Sequence, residues 1–366
     1  MTLKTTPLFD AHEKLGASFT DFNGWNMPLK YTSEMTEHKA VRESVGIFDL
    51  SHMGEIFVTG PDAVTGLNTA LAGDFSKMTV GRAKYTVMLT EDGTILDDLI
   101  VYRLGEDRYL MVPNAGNAQA VSEAVATRTA GMNVEITDAT ADLALVGIQG
   151  PKAADVVAAL GDDFAEAAGS LKNYRVTEVT VNGSDWIVAR TGYTGEDGFE
   201  IITPNERISQ LWDQIFGLDI DVDITPCGLA SRDSLRLEAG MPLYGNELST
   251  QRTPFDAGMG RIVSFDKPEN FVGRSALEPL RDQTPDQVLV GLTSGQRRAA
   301  RSGADITLDG QTIGTVTSGI PSPTLGKPVA LGYIDAAHAD PDTEVEVDVR
   351  GKALPFTITK PPFYTR

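Results

Sequence analysis

Cysteine is almost missing from this 366-residue chain. Cys227 stands alone, so no intrachain disulfide can form, and the composition fits a reducing, cytoplasmic compartment. Histidine is nearly as scarce. His12, His38, His52 and His338 form no H-x-H or H-x-x-x-H pair beside other ligands, so no metal site is expected. Positive charge is short as well, with 31 Lys and Arg against 51 Asp and Glu, a net charge of −20. Nucleic acids and anionic membranes are drawn to dense positive surface, and this chain lacks one globally. Long apolar runs are absent too. The stretch 143–148 is among the longest, far below the roughly 20 residues a membrane span needs. The start, Met1-Thr2-Leu3-Lys4-Thr5-Thr6-Pro7, has neither an apolar core nor an arginine-rich stretch, which argues against a secretory or organellar address.

What is present is ordinary globular material, 41% hydrophobic and 22% charged. Single cores stop growing at roughly 250–300 residues, so two or three domains are expected. A helix is predicted after Ser33, with Met35, Val41 and Val45 on its apolar side. From Gly54 the pattern becomes that of an antiparallel meander: residues 55–59, 85–90, 95–104 and 108–112, with turns at Glu91-Asp92-Gly93-Thr94 and Gly105-Glu106-Asp107. Helices are expected over 119–130, 151–160, 206–216 and 229–239, each followed by glycine. Asn182-Gly183 signals a hairpin between 176–181 and 186–190. After about residue 286 strands and turns dominate, with hairpins at Asp309-Gly310 and Arg350-Gly351, the composition of a small closed or sandwich-like β domain. The fold class is therefore α+β with an all-β C-terminal domain.

Common catalytic signatures fail. The stretch 319–328 has P-loop glycines at the wrong spacing, with Pro328 where Ser or Thr belongs, and neither G-x-G-x-x-G after a strand nor G-x-S-x-G occurs. Three weaker features remain. Asp97-Asp98 lies within the apolar strand Ile95-Leu96-Asp97-Asp98-Leu99-Ile100, and because neighbours on a strand face opposite ways, one carboxylate meets a buried surface. An ion pair and a ligand are equally good partners for it. The loop Thr191-Gly192-Tyr193-Thr194-Gly195-Glu196-Asp197-Gly198-Phe199-Glu200 can approach a ligand closely. It offers the Tyr193 ring and the Glu200 carboxylate, whereas Glu196 and Asp197 read better as ordinary loop acids. On the helix 229–239, Arg232 and Arg236 lie one turn apart. Arg236 suits a structural pair with an acid such as Asp233, and Cys227 reads as a small packed residue. Taken alone, these residues describe an α+β enzyme with a mixed carboxylate and arginine site.

The same segments carry a resemblance that reaches further. Phe22-Asn23-Gly24-Trp25-Asn26-Met27-Pro28-Leu29, Phe48-Asp49-Leu50-Ser51-His52-Met53, Gly192-Tyr193-Thr194-Gly195-Glu196, the stretch 232–240 with Leu243-Tyr244-Gly245, and Thr317-Ser318-Gly319 with Ser322-Pro323-Thr324-Leu325-Gly326 resemble the aminomethyltransferase (T-protein) family of the glycine cleavage system, in the family's order. The resemblance implies a three-domain cloverleaf with a central folate-binding channel and a C-terminal β barrel. Its expected division is 1–52 with 140–238, 53–139 with 239–285, and 286–366. It implies tetrahydrofolate as co-substrate and the lipoylated H-protein as partner. The expected reaction moves a one-carbon unit from the aminomethyl-dihydrolipoyl arm to tetrahydrofolate with release of ammonia. The family's essential aspartate matches Asp98, with Asp97 the alternative, and its folate-contacting positions match Met53, Asn114, Tyr193, Glu200, Arg232 and Tyr364. A folate-dependent demethylase of a small methylated donor, on the same fold, is the alternative activity. The basic run Arg297-Arg298-Ala299-Ala300-Arg301 reads first as a solvated loop, with a contact to the folate glutamate tail or the acidic H-protein as the functional alternative.

Overall fold

The computed structural model describes residues 2–366 and divides the chain into two units. The first comprises Met1–Ala70, Asp74–Thr86 and Leu99–Arg232, and the second Leu71–Gly73, Val87–Asp98 and Asp233–Arg366. Helices and strands are mixed, as expected for an α+β chain.

In the first unit a six-stranded sheet runs in the order Val176–Val181, Ser184–Ala189, Gly198–Pro204, Leu143–Gln149, Val45–Asp49, Ile224–Pro226. Its inner strands Leu143–Gln149 and Val45–Asp49 read as nearly continuous apolar runs, which fits coverage on both faces. Val45, Ile47, Val146, Ile148, Phe199 and Ile201 are fully buried in one core, with Leu211, Trp212 and Ile215 of the helix Asn205–Phe216. The hairpin at Asn182-Gly183 forms where read, both residues having positive φ (50° and 80°), the backbone that a two-residue turn of this hand requires. Ser33 caps the helix Glu34–Glu43 by accepting the Thr36 N–H at 3.1 Å.

The predicted meander belongs to a five-stranded sheet in the order Ala83–Leu89, Ile95–Gly105, Arg108–Pro113, Ile56–Thr59, Glu135–Asp138. Among the described residues four α-helices escaped the sequence reading, Phe9–Lys14, Ala63–Ala70, Asp162–Ser170 and Arg274–Leu277. The helix expected over 151–160 is shorter, Ala153–Ala158. Gly161 does not end an isolated helix but starts the next one, with φ of 146°.

The second unit ends in a closed six-stranded barrel, in the order Gln287–Thr293, Pro328–Asp335, Gln311–Pro321, Asp305–Leu308, Glu344–Asp348, Ala353–Thr359. Closure leaves no free sheet edge. Alternate residues point inward, so Val345 and Val347 are buried while Glu344, Glu346 and Asp348 face water. Asp309-Gly310 and Arg350-Gly351 turn its hairpins with positive φ, as their sequence predicts. Among the described residues no helix is long and apolar enough to cross a membrane.

Candidate functional site

The loop after Ser184–Ala189 is built around Gln149, the last residue of a buried strand. Gln149 Nε2 donates to the Thr191 carbonyl at 3.1 Å and the Phe199 carbonyl at 3.4 Å, and Oε1 accepts from Thr194 Oγ1 at 2.9 Å. Gly192 and Gly198 close over this amide. A Cβ on either would lie 2.0 Å and 2.3 Å from it, so the loop needs hydrogen at both positions. Arg42 grips the loop from outside, donating to the Thr194 carbonyl at 2.7 Å and pairing with Glu196 at 3.0 Å. Arg190 holds Asp197 in a fork, at 2.8 and 2.6 Å. Glu196 and Asp197 are thus structural, as the sequence suggested.

This framework presents Tyr193 and Glu200 on a fixed backbone. The Arg232 guanidinium lies 4.7 Å from the Tyr193 ring centroid, a cation over a π face. Glu200 Oε2 accepts hydrogen bonds from Tyr102 at 3.0 Å and from Thr191. Both donors take the same oxygen, so Oε1 keeps acceptor capacity for a ligand. Burial, and then the Glu200 carboxylate, push the Tyr102 phenol well up. The same two causes raise Tyr174, so both phenols stay protonated, and Tyr102 remains a donor to Glu200.

A second buried group flanks Met53. Asp49 accepts from Thr6 at 2.6 Å, from His12 Nε2 at 2.8 Å and from the Ser51 N–H at 3.0 Å. Burial would raise its carboxyl, but His12 above all, with Thr6 and Ser51, outweighs that and holds it below its ordinary value. His52, three residues on, takes no part in this cluster. It is 2% exposed, its Nδ1 has no hydrogen-bond partner, and it meets the Phe22 ring edge-on at 5.5 Å. Burial, reinforced by the nearby Arg232 charge and opposed by Asp49, lowers its pKa to about 4, so the ring is neutral at physiological pH.

Met53, Asn114, Tyr193, Glu200 and Arg232 all belong to the first unit, and each is partly exposed rather than sealed in a core. Asp98 and Tyr364 belong to the second. On the strand Ile95–Gly105, Asp97 is fully buried and Asp98 half-buried, the alternation that their adjacency demands. The Tyr364 N–H, like that of Phe363, donates to the Glu238 carbonyl at 2.9 Å, which ties the C-terminal tail to the end of the helix Leu229–Glu238. Arg236 on that helix is structural, as read. It is 1% exposed and bonds Asp233 and Glu247 at 2.8 Å each, with Ser318 as a third partner at 2.8 Å. Cys227 is buried and its thiol is pushed well up, by burial first and the Glu37 carboxylate second, so it is no nucleophile. Sequence reading missed Gln149, Tyr102, Thr191 and the His12–Asp49 pair. Their partners lie 9 to 98 positions away, across sheet neighbours no local motif records.

On the barrel, Arg297, Arg298, Arg301 and Arg350 line a hollow of about 470 Å³ together with Asp305 and Asp348. Arg301 donates to the Gly319 carbonyl at 3.2 Å. Among the described residues no carboxylate pairs with any of the four.

Comparison with known proteins places these features. Residues 8–267 match the model of the GCVT N-terminal domain, and residues 287–365 that of the glycine cleavage T-protein C-terminal barrel domain. An aminomethyltransferase of Streptomyces coelicolor is 52% identical, over all of this chain and 98% of its own length. One of Cutibacterium acnes is 50% identical over 100% and 99%. The crystal structure of the glycine cleavage system aminomethyltransferase T of Bartonella henselae superposes with a TM-score of 0.92 at 38% identity, covering 99% of this chain and 98% of that one. With both halves of the chain matched and relatives aligned end to end, this protein belongs to the glycine cleavage T-protein family.

Proposed function

We infer that the chain is the aminomethyltransferase of a glycine cleavage system, acting on the aminomethyl-dihydrolipoyl arm of the H-protein with tetrahydrofolate as acceptor, in the cytoplasm. The observation that carries this reading is full-length identity near 50% to aminomethyltransferases, with neither chain leaving a substantial part unmatched. The same reading keeps the three-part cloverleaf, divided as the sequence suggested, with folate in its central channel.

The residues suit a folate. A pterin presents paired N–H donors, and Glu200 Oε1 can accept them while Oε2 stays bound to Tyr102 and Thr191. The Tyr193 ring supplies a flat apolar wall whose orientation is fixed by Arg232 on its π face and by the Gln149 framework beneath. Arg232 adds positive charge for a carboxylate or a ring oxygen. Met53, Asn114 and Tyr364 are the further folate contacts that this reading assigns. Asp98 holds the reacting folate nitrogens in place and offsets positive charge as ammonia leaves, and positioning and electrostatics of this kind each supply several kcal/mol. The family's reaction leaves methylenetetrahydrofolate and the dihydrolipoyl arm. The arginine hollow of the barrel is the docking face for the acidic H-protein.

The test is ammonia release from aminomethylated H-protein by the purified chain. Release should depend on tetrahydrofolate. Asp98→Asn should cut turnover by about 100-fold or more, whereas Asp97→Asn should lower stability and leave the turnover of folded protein within a few-fold. Release independent of folate, or turnover of a small methylated donor without any lipoyl carrier, would overturn the reading.

A further inference from the structure

In a chain with 51 Asp and Glu against 31 Lys and Arg, an arginine paired with a carboxylate is ordinary and one without a carboxylate is not. Arg252 is such an arginine. It lines a hollow of about 260 Å³ in the second unit, beside Asn246, Ser302, Thr315, Thr317 and Tyr333. No acid lines this hollow, and Arg252 is its one charge.

The guanidinium is held in place by the protein alone. It lies 3.7 Å from the Tyr333 ring centroid and donates to Gln287 Oε1 at 3.0 Å. Tyr333 is fixed in turn, buried and donating its hydroxyl to the Glu247 carbonyl at 2.8 Å. Among the described residues no carboxylate pairs with Arg252. The two acids whose charge bears on Tyr333 are engaged elsewhere. Glu247 binds Arg236, Ser318 and the Leu243 N–H, and Asp256 accepts from the Thr253 N–H at 2.7 Å. Stacking on Tyr333 explains where Arg252 sits, yet leaves most of its N–H fork without an acceptor in the protein.

Two segments that the proposed reaction does not use meet at this hollow. Gly245 closes Leu243-Tyr244-Gly245, Thr317 opens Thr317-Ser318-Gly319, and both are in the lining. Asn246 Nδ2 donates to Ser318 Oγ at 3.0 Å, which ties the first segment to the barrel strand Gln311–Pro321. The exposed Ser302 and Thr315 add hydroxyl donors. Ser302 and Gly303 also line the arginine hollow, so the two hollows adjoin on one surface.

We propose that this hollow is a carboxylate-binding site, in which Arg252 grips an aspartate or glutamate side chain of the acidic carrier that docks on the adjoining arginine hollow. A carboxylate is planar and matches the guanidinium fork, and an arginine already held on a ring loses little further freedom in binding it. Asp305 and Asp348 temper the positive field of the arginine hollow, whereas nothing opposes Arg252 in its own. The larger hollow draws the partner in, and the smaller one fixes its register. This inference rests on the carrier reading above.

The test is titration of the lipoylated carrier without turnover, so that chemistry does not enter. Arg252→Gln should weaken binding about fivefold, the size of one partly exposed charge pair. Arg252→Lys, which keeps the charge but not the fork, should recover only part of that loss. Thr315→Glu leaves Arg252 in place and sets a carboxylate at an exposed position of the hollow, so it should weaken binding as well and keeps the test open should Arg252→Gln not fold. In the wild type the Arg252 Nε–H resonance should move on adding the carrier. Folded variants that bind the carrier as the wild type does, or an Arg252 resonance indifferent to bound carrier, would overturn the proposal and leave the carrier reading intact. A shift produced as readily by acetate at the carrier's concentration would reduce the hollow to a general anion site and overturn it too. Absence of carrier binding by the wild type would remove both.

Discussion

Glu55 opens the strand Ile56–Thr59 and shows how a single buried group shapes the pH response. It is fully buried, and neither carboxylate oxygen has a hydrogen-bond partner. Burial, with a smaller push from Asp138, raises its pKa well above the ordinary 4.5, so the native protein holds this proton where the unfolded chain releases it. With the native state binding more protons, stability falls as pH rises from about 4.5 towards the raised value, and is fullest below 4.5. Glu55→Gln removes the titration. Its stability relative to wild type should therefore improve as pH rises above 4.5 and show no such gain below 4.5, as read from urea midpoints across pH. A difference that does not change with pH would show that Glu55 titrates alike in the folded and unfolded chain, and a relative loss on raising the pH would show it ionised and paired in the native protein. His52 illustrates the opposite limit of legibility at this scale. Its place before Met53 is visible in the chain, but its unpartnered nitrogen exists only once Asp49 has been claimed by residues 37 and 43 positions away.

At the scale of elements, the chain announces its turns and caps and conceals its cross-braces. Ser33, Asn182-Gly183, Asp309-Gly310 and Arg350-Gly351 act through local backbone chemistry, so the sequence shows them directly. The helices Ala63–Ala70 and Asp162–Ser170 are short, and tertiary burial rather than strong periodicity sustains them. Gln149 is the clearest hidden brace. Nothing in its neighbourhood distinguishes it, yet the loop carrying Tyr193 hangs on its amide. Gly198→Ala would drive a methyl to 2.3 Å from Gln149 Nε2, so either the amide or the loop must shift. The expected cost is about 1–3 kcal/mol of stability, together with weaker folate binding as Tyr193 moves. Removing the clashing amide supplies the check. In a double-mutant cycle with Gln149→Ala, the second substitution should cost far less than it does alone. Strict additivity would show that Gln149 is not the brace.

On the scale of the whole molecule, a net charge of −20 makes the barrel's arginine hollow an exception that composition alone cannot reveal. Arg297, Arg298 and Arg301 lie within five consecutive residues and are visible as a basic run. Arg350 joins them only because the strands Asp305–Leu308 and Glu344–Asp348 pair in the closed barrel and bring its hairpin alongside. The all-β character of this domain follows from alternating residues and turn dipeptides, whereas closure, which gathers the four guanidiniums, is a long-range property. On the reading proposed above the carrier is acidic too, and an acidic molecule that recruits it needs such a local inversion of sign. Without it the two fields repel and slow the encounter. Reversing Arg297 and Arg298 to glutamate leaves the barrel interior untouched, since both side chains are exposed. The reversal should raise the apparent KM for the lipoylated carrier by roughly tenfold at low salt. It should leave tetrahydrofolate affinity unchanged and lessen the salt dependence of the carrier reaction, because exposed charges are screened beyond roughly 10 Å at 0.1 M ionic strength. An unaltered KM for the carrier would free the hollow from docking. A loss confined to folate affinity would assign these arginines to the co-substrate's glutamate instead.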